Sequence, residues 1–295
     1  MAKQNQDHCL GETSTIPISA QQFIMSPKHT LAIEELFTSD DGVYQTAPDA
    51  ASWFSRLLPT PNFYRQFFWN VCRSSSIARR GKYDELEWSR TSFEVLKSLE
   101  SVGVRTRISG VEHIRSLDSP CVFVGNHMSM LETMVLPGVI QPIRDVTFVV
   151  KQSLMDYPVF RHVVRARDPI AVTRDNPRED FKTVMQSGVE RLKNGCSIVV
   201  FPQTTRSLTF DPTQFNTIGL KLATRAKVPM VPIALKTDAW SNGKWLKDIG
   251  RIDPTKWVHF EFGRPMMIEG RGTLQQKEAT DFIQAKLSDW STDSD

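Results

Sequence analysis

The chain has 295 residues, long for one domain but within reach of a single large α/β unit carrying an extra helical segment. Lys and Arg outnumber Asp and Glu by only 36 to 33, which excludes a generally basic surface for nucleic acid and makes any basic partner site local. The four cysteines, Cys9, Cys72, Cys121 and Cys196, form no C-x-x-C pair and read as free thiols of a reducing cytosol.

The opening "MAKQNQDHCLGETSTIP" lacks the apolar core of a signal peptide, and no window approaches the ~18 to 20 apolar residues of a membrane span. Residues 1–50 are polar, with turn residues in "TSDDGVYQTAPDA", and read as mostly irregular. Residues 51–102 read as helical: Phe63, Tyr64, Phe67, Phe68, Val71 and Cys72 fall at the spacing of one helix face, and a second helix follows over 84–101. The 61–83 stretch interleaves Phe63, Phe67, Phe68 and Trp69 with Arg65, Arg73, Arg79, Arg80 and Lys82 and holds no acid. It reads either as a membrane-docking segment, with aromatics at headgroup level, or as a helix packed on the domain beyond.

From 103 to 270 short apolar runs alternate with helical segments, the pattern of an α/β domain with a mixed sheet of about seven strands flanked by helices. The strands are "RTRIS", "CVFVG", "VTFVV", "PIAVT", "SIVVF", "MVPIAL" and "VHFEFG", with helices near 130–139, 152–164, 178–194 and 214–226. A C-terminal helix within 271–295 can start from the capping pair Thr273 and Gln276.

"CVFVG" runs into Asn126 and His127, placing the imidazole at a strand's C-terminal end, where α/β sheets bind ligands. Ser129 with Glu132 three residues later forms a capping box that starts a helix at Met130. Residues five apart on one helix diverge by about 140°, but a loop His127 can meet a first-turn Glu132. The carboxylate would then fix the tautomer and leave the other ring nitrogen to deprotonate a hydroxyl. The same stretch also reads as a turn histidine beside a cap worth about 1 kcal/mol.

"IVVFPQTTRSLTF" follows another buried strand, and its turn amides with Arg206 suit a phosphate. Arg174, in "IAVTRD", also sits at the end of a strand and can converge on the same anion. Trp240, Trp245 and Trp257, interspersed with Lys236, Lys244 and Lys247, can meet donor phosphates or lipid, or form an ordinary loop.

Taken in order, "NHMSMLE", "IAVTR", "FPQTTRS" and "VPMVP", with "FVVKQSL" and "FEFGRPM", resemble the motifs of the lysophospholipid acyltransferases, the 1-acylglycerol-3-phosphate O-acyltransferases among them. The resemblance covers about 105–268 and implies a glycerol-3-phosphate acyltransferase-like α/β fold. It implies His127 as general base, Glu132 as its orienting acid, and Arg174, Arg206, Lys151, Gln203, Thr204 and Thr205 around the acceptor. Glu132 stands where the family usually has Asp, and Gln203-Thr204 where it has Glu-Gly. Val228, Pro229, Val231 and Pro232 would help shape the acyl-binding region.

The implied reaction moves an acyl group from acyl-CoA or acyl-carrier protein to a lysophospholipid hydroxyl, with no cofactor, metal or nucleic acid. Both substrates being lipids, the implied place is the cytoplasmic face of a membrane, held peripherally. His8, His29, His113, His162 and His259 lack metal-ligand spacing. Two rivals stand beside this reading: a lipid-binding homologue without turnover, and an acyltransferase for another lipid acceptor.

Overall fold

The computed structural model describes residues 42–203, 205–243 and 248–292. Most of the 1–50 segment therefore lies outside the described residues, as do Thr204, Lys244, Trp245 and Lys247. All seven expected strands form, and Tyr44–Gln45 adds an eighth, β1, inside the stretch read as irregular. The others are β2 (Arg105–Ser109), β3 (Val122–Gly125), β4 (Val146–Lys151), β5 (Ile170–Val172), β6 (Ser197–Val200), β7 (Met230–Lys236) and β8 (Trp257–Phe262).

The sheet order is β1-β2-β8-β7-β3-β6-β4-β5. Strands β7, β3, β6, β4 and β5 are mutually parallel, while β8 is antiparallel to β7. One sheet edge thus collects the C-terminal ends of five strands, which carry His127, Lys151, Arg174, the 202–207 turn and Thr237. The strands "VFVG" and "SIVV", apolar except for Ser197, are buried on both faces, as a covered parallel sheet demands.

Before the sheet come α1 (Trp53–Leu57), α2 (Pro59–Arg79) and α3 (Glu85–Ser101). Proline at the start of α2 and the Asp84 cap on α3, which accepts from the Glu87 amide at 2.9 Å, set these helices' beginnings. Phe63 and Phe67 do not face outward: they are buried, with ring centroids 4.8 and 5.1 Å from that of Trp240. Each such fully buried aromatic contributes roughly 1.5–3 kcal/mol, so this side of α2 belongs to the core. Phe68 and Trp69, at 44% and 74% exposure, keep to the other side.

The remaining helices are α4 (Val111–Arg115), α5 (Leu131–Ile140), α6 (Phe160–Ala166), α7 (Pro177–Lys193), α8 (Ile218–Ala226) and α9 (Thr273–Thr292). α5 is apolar nearly all round and lies buried against α3, where a Cβ on Gly138 would come within 2.9 Å of the Phe93 nitrogen. Residues of α2, α3 and α5 form the core on one sheet face, and those of α7, α8 and α9 the core on the other.

Two expected helices are split. Over 152–164 a short 3-10 turn, Gln152–Met155, is separated from α6 by Pro158 and by Val159 at φ 68. Over 214–226 the 3-10 turn Pro212–Gln214 precedes α8, because Asn216 turns its amide onto the Pro202 carbonyl instead of continuing a helix. At α9, Thr273 lies within the helix, and the Gln276 amide donates to the Phe215 carbonyl at 3.0 Å instead of closing a capping box.

Candidate active site

β3 is central, so the turn leaving it has a neighbour on each side. Asn126 fixes one: its amide donates to the Leu235 carbonyl at 2.7 Å and its Oδ1 accepts from the Leu235 N–H at 2.9 Å, joining the turn to β7. The turn after β6 fixes the other. The His127 N–H donates to Gln203 Oε1 at 2.9 Å, and the His127 carbonyl accepts from the Ser207 N–H, also at 2.9 Å. The imidazole stacks on Phe201, with centroids 4.5 Å apart and planes 10° off parallel. Backbone and ring are thereby held before any substrate arrives.

Glu132 is fully buried in the first turn of α5. Its Oε1 accepts from the Met128 N–H (2.8 Å), the Ser129 N–H (2.9 Å) and the Thr237 hydroxyl (2.5 Å). Oε2 accepts from the Ser129 N–H at 3.1 Å and lies 3.5 Å from His127 Nδ1, a buried atom without a closer partner. That separation is longer than a formed hydrogen bond. Burial pushes the Glu132 carboxyl up, but the His127 ring, the Thr237 hydroxyl and the Ser129 amide together outweigh it and hold the group below the ordinary carboxylate range.

The helix begins at Leu131, one residue later than expected, because the Ser129 hydroxyl accepts from the Leu131 N–H at 3.1 Å instead of from residue 132. The reciprocal half of the box is present, since Glu132 reaches back to the Ser129 N–H. Glu132 is therefore both cap and histidine partner. The same Ser129 hydroxyl donates to the Thr237 carbonyl at 3.1 Å.

The basic residues are placed differently. Arg206 Nη1 donates to Asp248 at 2.6 Å, a partner not anticipated from the sequence. Arg174 sits at φ 68, its turn held by Asp180, which accepts from the Thr173 and Arg174 N–H groups at 2.8 and 2.7 Å. β4 lies between β5 and β6, so two strand spacings, about 10 Å, separate the strand ends that carry Arg174 and Arg206. Lys151 is exposed at the end of β4 beside that turn, and Thr205 is exposed as well. Gln203 is buried and its carbonyl is committed to His127, so it braces the histidine turn.

An apolar pocket enclosing about 1270 Å³, including its open mouth, lies between α2, α3, α5 and α6. Phe67, Val71, Val95, Phe148 and Phe160 line it, and it meets the site through Met130, Thr133, Arg206 and Asp248. Arg174 is not among its lining residues, nor are Val228, Pro229, Val231 and Pro232, which belong to the start of β7 and the sheet core. Trp240 is core, and the Lys236 ammonium donates to the Trp290 carbonyl at 2.6 Å, so neither stands ready for a donor phosphate. Trp257 is half-buried under the Arg105 guanidinium, 4.4 Å from the ring centroid.

Residues 105–236 match the family model described as Acyltransferase. A 1-acyl-sn-glycerol-3-phosphate acyltransferase of Pseudomonas aeruginosa is 30% identical over 203 residues, 68% of this chain and 74% of the relative. The chain belongs to the acyltransferase family. A chloroplastic 1-acyl-sn-glycerol-3-phosphate acyltransferase of Brassica napus, BAT2, is 30% identical over 131 residues, 44% of this chain and 37% of that protein. The crystal structure of the 1-acyl-sn-glycerophosphate (LPA) acyltransferase PlsC from Thermotoga maritima superposes with a TM-score of 0.61 at 19% identity, covering 80% of this chain and 96% of that one, and shares the fold.

Three residues of the candidate site have roles that the sequence did not show: Asn126, Thr237 and Asp248. Asn126 stands next to the histidine in its motif, but its partner, Leu235, lies 109 residues away. Thr237 and Asp248 carried no local signal. Among the described residues no helix is long and apolar enough to cross a membrane.

Proposed function

We propose that this enzyme transfers a fatty acyl group from a thioester donor, acyl-CoA or acyl-carrier protein, to the free hydroxyl of a lysophospholipid, with 1-acylglycerol-3-phosphate as the acceptor and phosphatidic acid as the product. The observation that carries the reading is the position of His127 Nδ1, buried 3.5 Å from a carboxylate that three donors hold ionised. Nδ1–H directed at Glu132 leaves Nε2 as the basic nitrogen. Nε2 takes the acceptor's hydroxyl proton as that oxygen attacks the thioester carbonyl. Glu132 stabilises the imidazolium, and collapse of the tetrahedral intermediate expels the thiolate, which recovers the proton. No acyl-enzyme is formed, and no cofactor or metal enters. The apolar pocket takes an acyl chain, since its lining offers length and little polarity.

The acceptor's phosphate is assigned to Arg206, with Lys151, Arg174 and the 203–205 turn on the same edge. The Arg206–Asp248 pair favours a second reading of the head, in which Arg206 takes a phosphate and Asp248 an ammonium of the same acceptor. Attachment is peripheral, at the cytoplasmic face, through exposed Trp53, Leu57, Leu58, Phe68 and Trp69. The test is an acceptor panel with both donor types, product being read by mass spectrometry. Esterified lysophosphatidic acid supports the first reading, selective use of an amine-bearing lysolipid supports the second, and donor consumption giving only free fatty acid sinks both.

A further inference from the structure

Across the seam between α2 and α6 from the apolar pocket, a second cleft opens on the outer surface, enclosing about 740 Å³ with its mouth. Cys72, Ser76 and Arg79 of α2 line one wall, and Val159, Arg161 and His162 the other. No acidic residue lines it. Arginines nearby are matched with carboxylates: Arg73 with Glu94 at 3.0 Å, Arg165 with Asp156 at 2.7 Å, Arg167 with Glu85 at 2.8 Å. Arg79 and Arg161 have no such partner among the described residues.

The Arg161 Nε lies 3.4 Å from His162 Nε2. Partial burial, then the charges of Arg161, Arg79 and Arg165, hold the His162 ring below the ordinary imidazole range, so two guanidiniums carry the notch's charge. Val159, in the wall, is held at φ 68, where β-branched residues seldom sit and where backbone strain tends to mark ligand clamps.

The notch also continues a surface row. Trp69, Cys72, Ser76 and Arg79 are spaced three or four apart along α2 and are exposed, with exposed Phe68 next to Trp69. A bulky apolar pair therefore adjoins two unmatched cations and hydroxyls able to donate, an arrangement complementary to a lipid phosphate at the boundary of headgroup and chain.

We propose that the Arg79–Arg161 notch seats the phosphate of an anionic bilayer lipid while Phe68 and Trp69 enter the headgroup layer beside it. This rests on the peripheral attachment proposed above. Cys72 supplies a reporter inside the notch. It is exposed, whereas burial pushes the Cys121 and Cys196 thiols up to about 11. Maleimide modification followed by peptide mass spectrometry reads Cys72 separately from Cys9.

Vesicles of phosphatidylcholine with phosphatidylglycerol are expected to slow Cys72 modification roughly tenfold, and vesicles of phosphatidylcholine alone far less. The double variant Arg79→Gln, Arg161→Gln is expected to lose that protection and to bind the anionic vesicles roughly tenfold more weakly. The charge-matched Arg80→Gln, Lys82→Gln keeps the protection. Equal losses in the two double variants would reduce the notch to unspecific surface charge. Vesicle binding with Cys72 unprotected overturns the notch but leaves attachment standing, and failure to bind any vesicle removes attachment and the notch together. Protection by soluble adenosine 3′,5′-bisphosphate without vesicles would overturn the lipid assignment in favour of a nucleotide phosphate.

Discussion

The turns after β3 and β6 lie side by side on one sheet edge, yet they are held in opposite ways. The first is closed: the His127 backbone, the Glu132 carboxylate and the Asn126 amide have their partners inside the protein at hydrogen-bond distance. Only the 3.5 Å step between ring and carboxylate is slack. The second turn is braced at Gln203 and Ser207 but carries Arg206 in a half-buried ion pair with Asp248, both of them lining the apolar pocket. Proton transfer needs groups placed to a fraction of an ångström, which favours burial and many donors. Recognition of a charged head needs a cation that a substrate can claim, which favours a partly exposed ion pair.

That contrast is broken most directly at His127. His127→Ala is expected to lower kcat by roughly 10³-fold or more and also to lower the melting temperature, since it empties the stack on Phe201 and takes the ring from beside the buried Glu132 carboxylate. Retained turnover in a correctly folded variant would remove the histidine from the chemistry. Glu132→Gln is expected to cost roughly 10² in rate and also to destabilise, because an amide cannot accept everywhere the carboxylate does.

The same variant tests the carboxylate's electrostatics. Its folded pKa lies below its unfolded value near 4.5, so its contribution to stability is complete above that pH and fades as acid protonates the folded form. The stability gap between wild type and Glu132→Gln should therefore shrink below about pH 4.5. A pH-independent gap in melting temperature would mean that the charge contributes nothing.

Thr237→Val removes the shortest donor to Glu132 while keeping shape, and is expected to cost about 1–3 kcal/mol of stability and roughly tenfold in kcat with KM unchanged. Equal behaviour in kcat and KM would place Thr237 in substrate binding instead. The smallest effect is expected on the open turn: Asp248→Asn should lower KM for a phosphate-bearing acceptor a few-fold and leave kcat alone, since it frees Arg206. A raised KM would show that Asp248 aims the arginine and does not compete with the substrate.

How much of this was legible depended on distance along the chain. Strands and helices followed from local periodicity, and the His127–Glu132 pair from spacing within six residues. The splits at Pro158 and Asn216 hinge on single residues whose breaking effect a smooth apolar pattern hides. β1 is two residues long and survives because the Tyr44 hydroxyl and the Thr46 hydroxyl both donate to Glu100, at 2.8 and 2.7 Å. No local pattern announces such a pair. The aromatics of α2 showed an amphipathic helix, but which side is core was decided by Trp240, far along the sequence. The Gln203 carbonyl's partner, the His127 amide, lies 76 residues away and was out of view of any local pattern.

Asn126 gripping Leu235 has a consequence in time. A chain growing from its N-terminus holds His127 and Glu132 long before it holds the strand that braces them, and Thr237 arrives later still. Until β7 inserts beside β3, the carboxylate lacks its hydroxyl donor and the histidine turn its anchor. Closing that parallel pairing across 109 residues is the kind of long-range step that folds slowly. Acyl transfer should then be the last property regained on refolding, well after the helical signal, and a truncated chain ending before residue 230 should meet lipid and thioester without reacting.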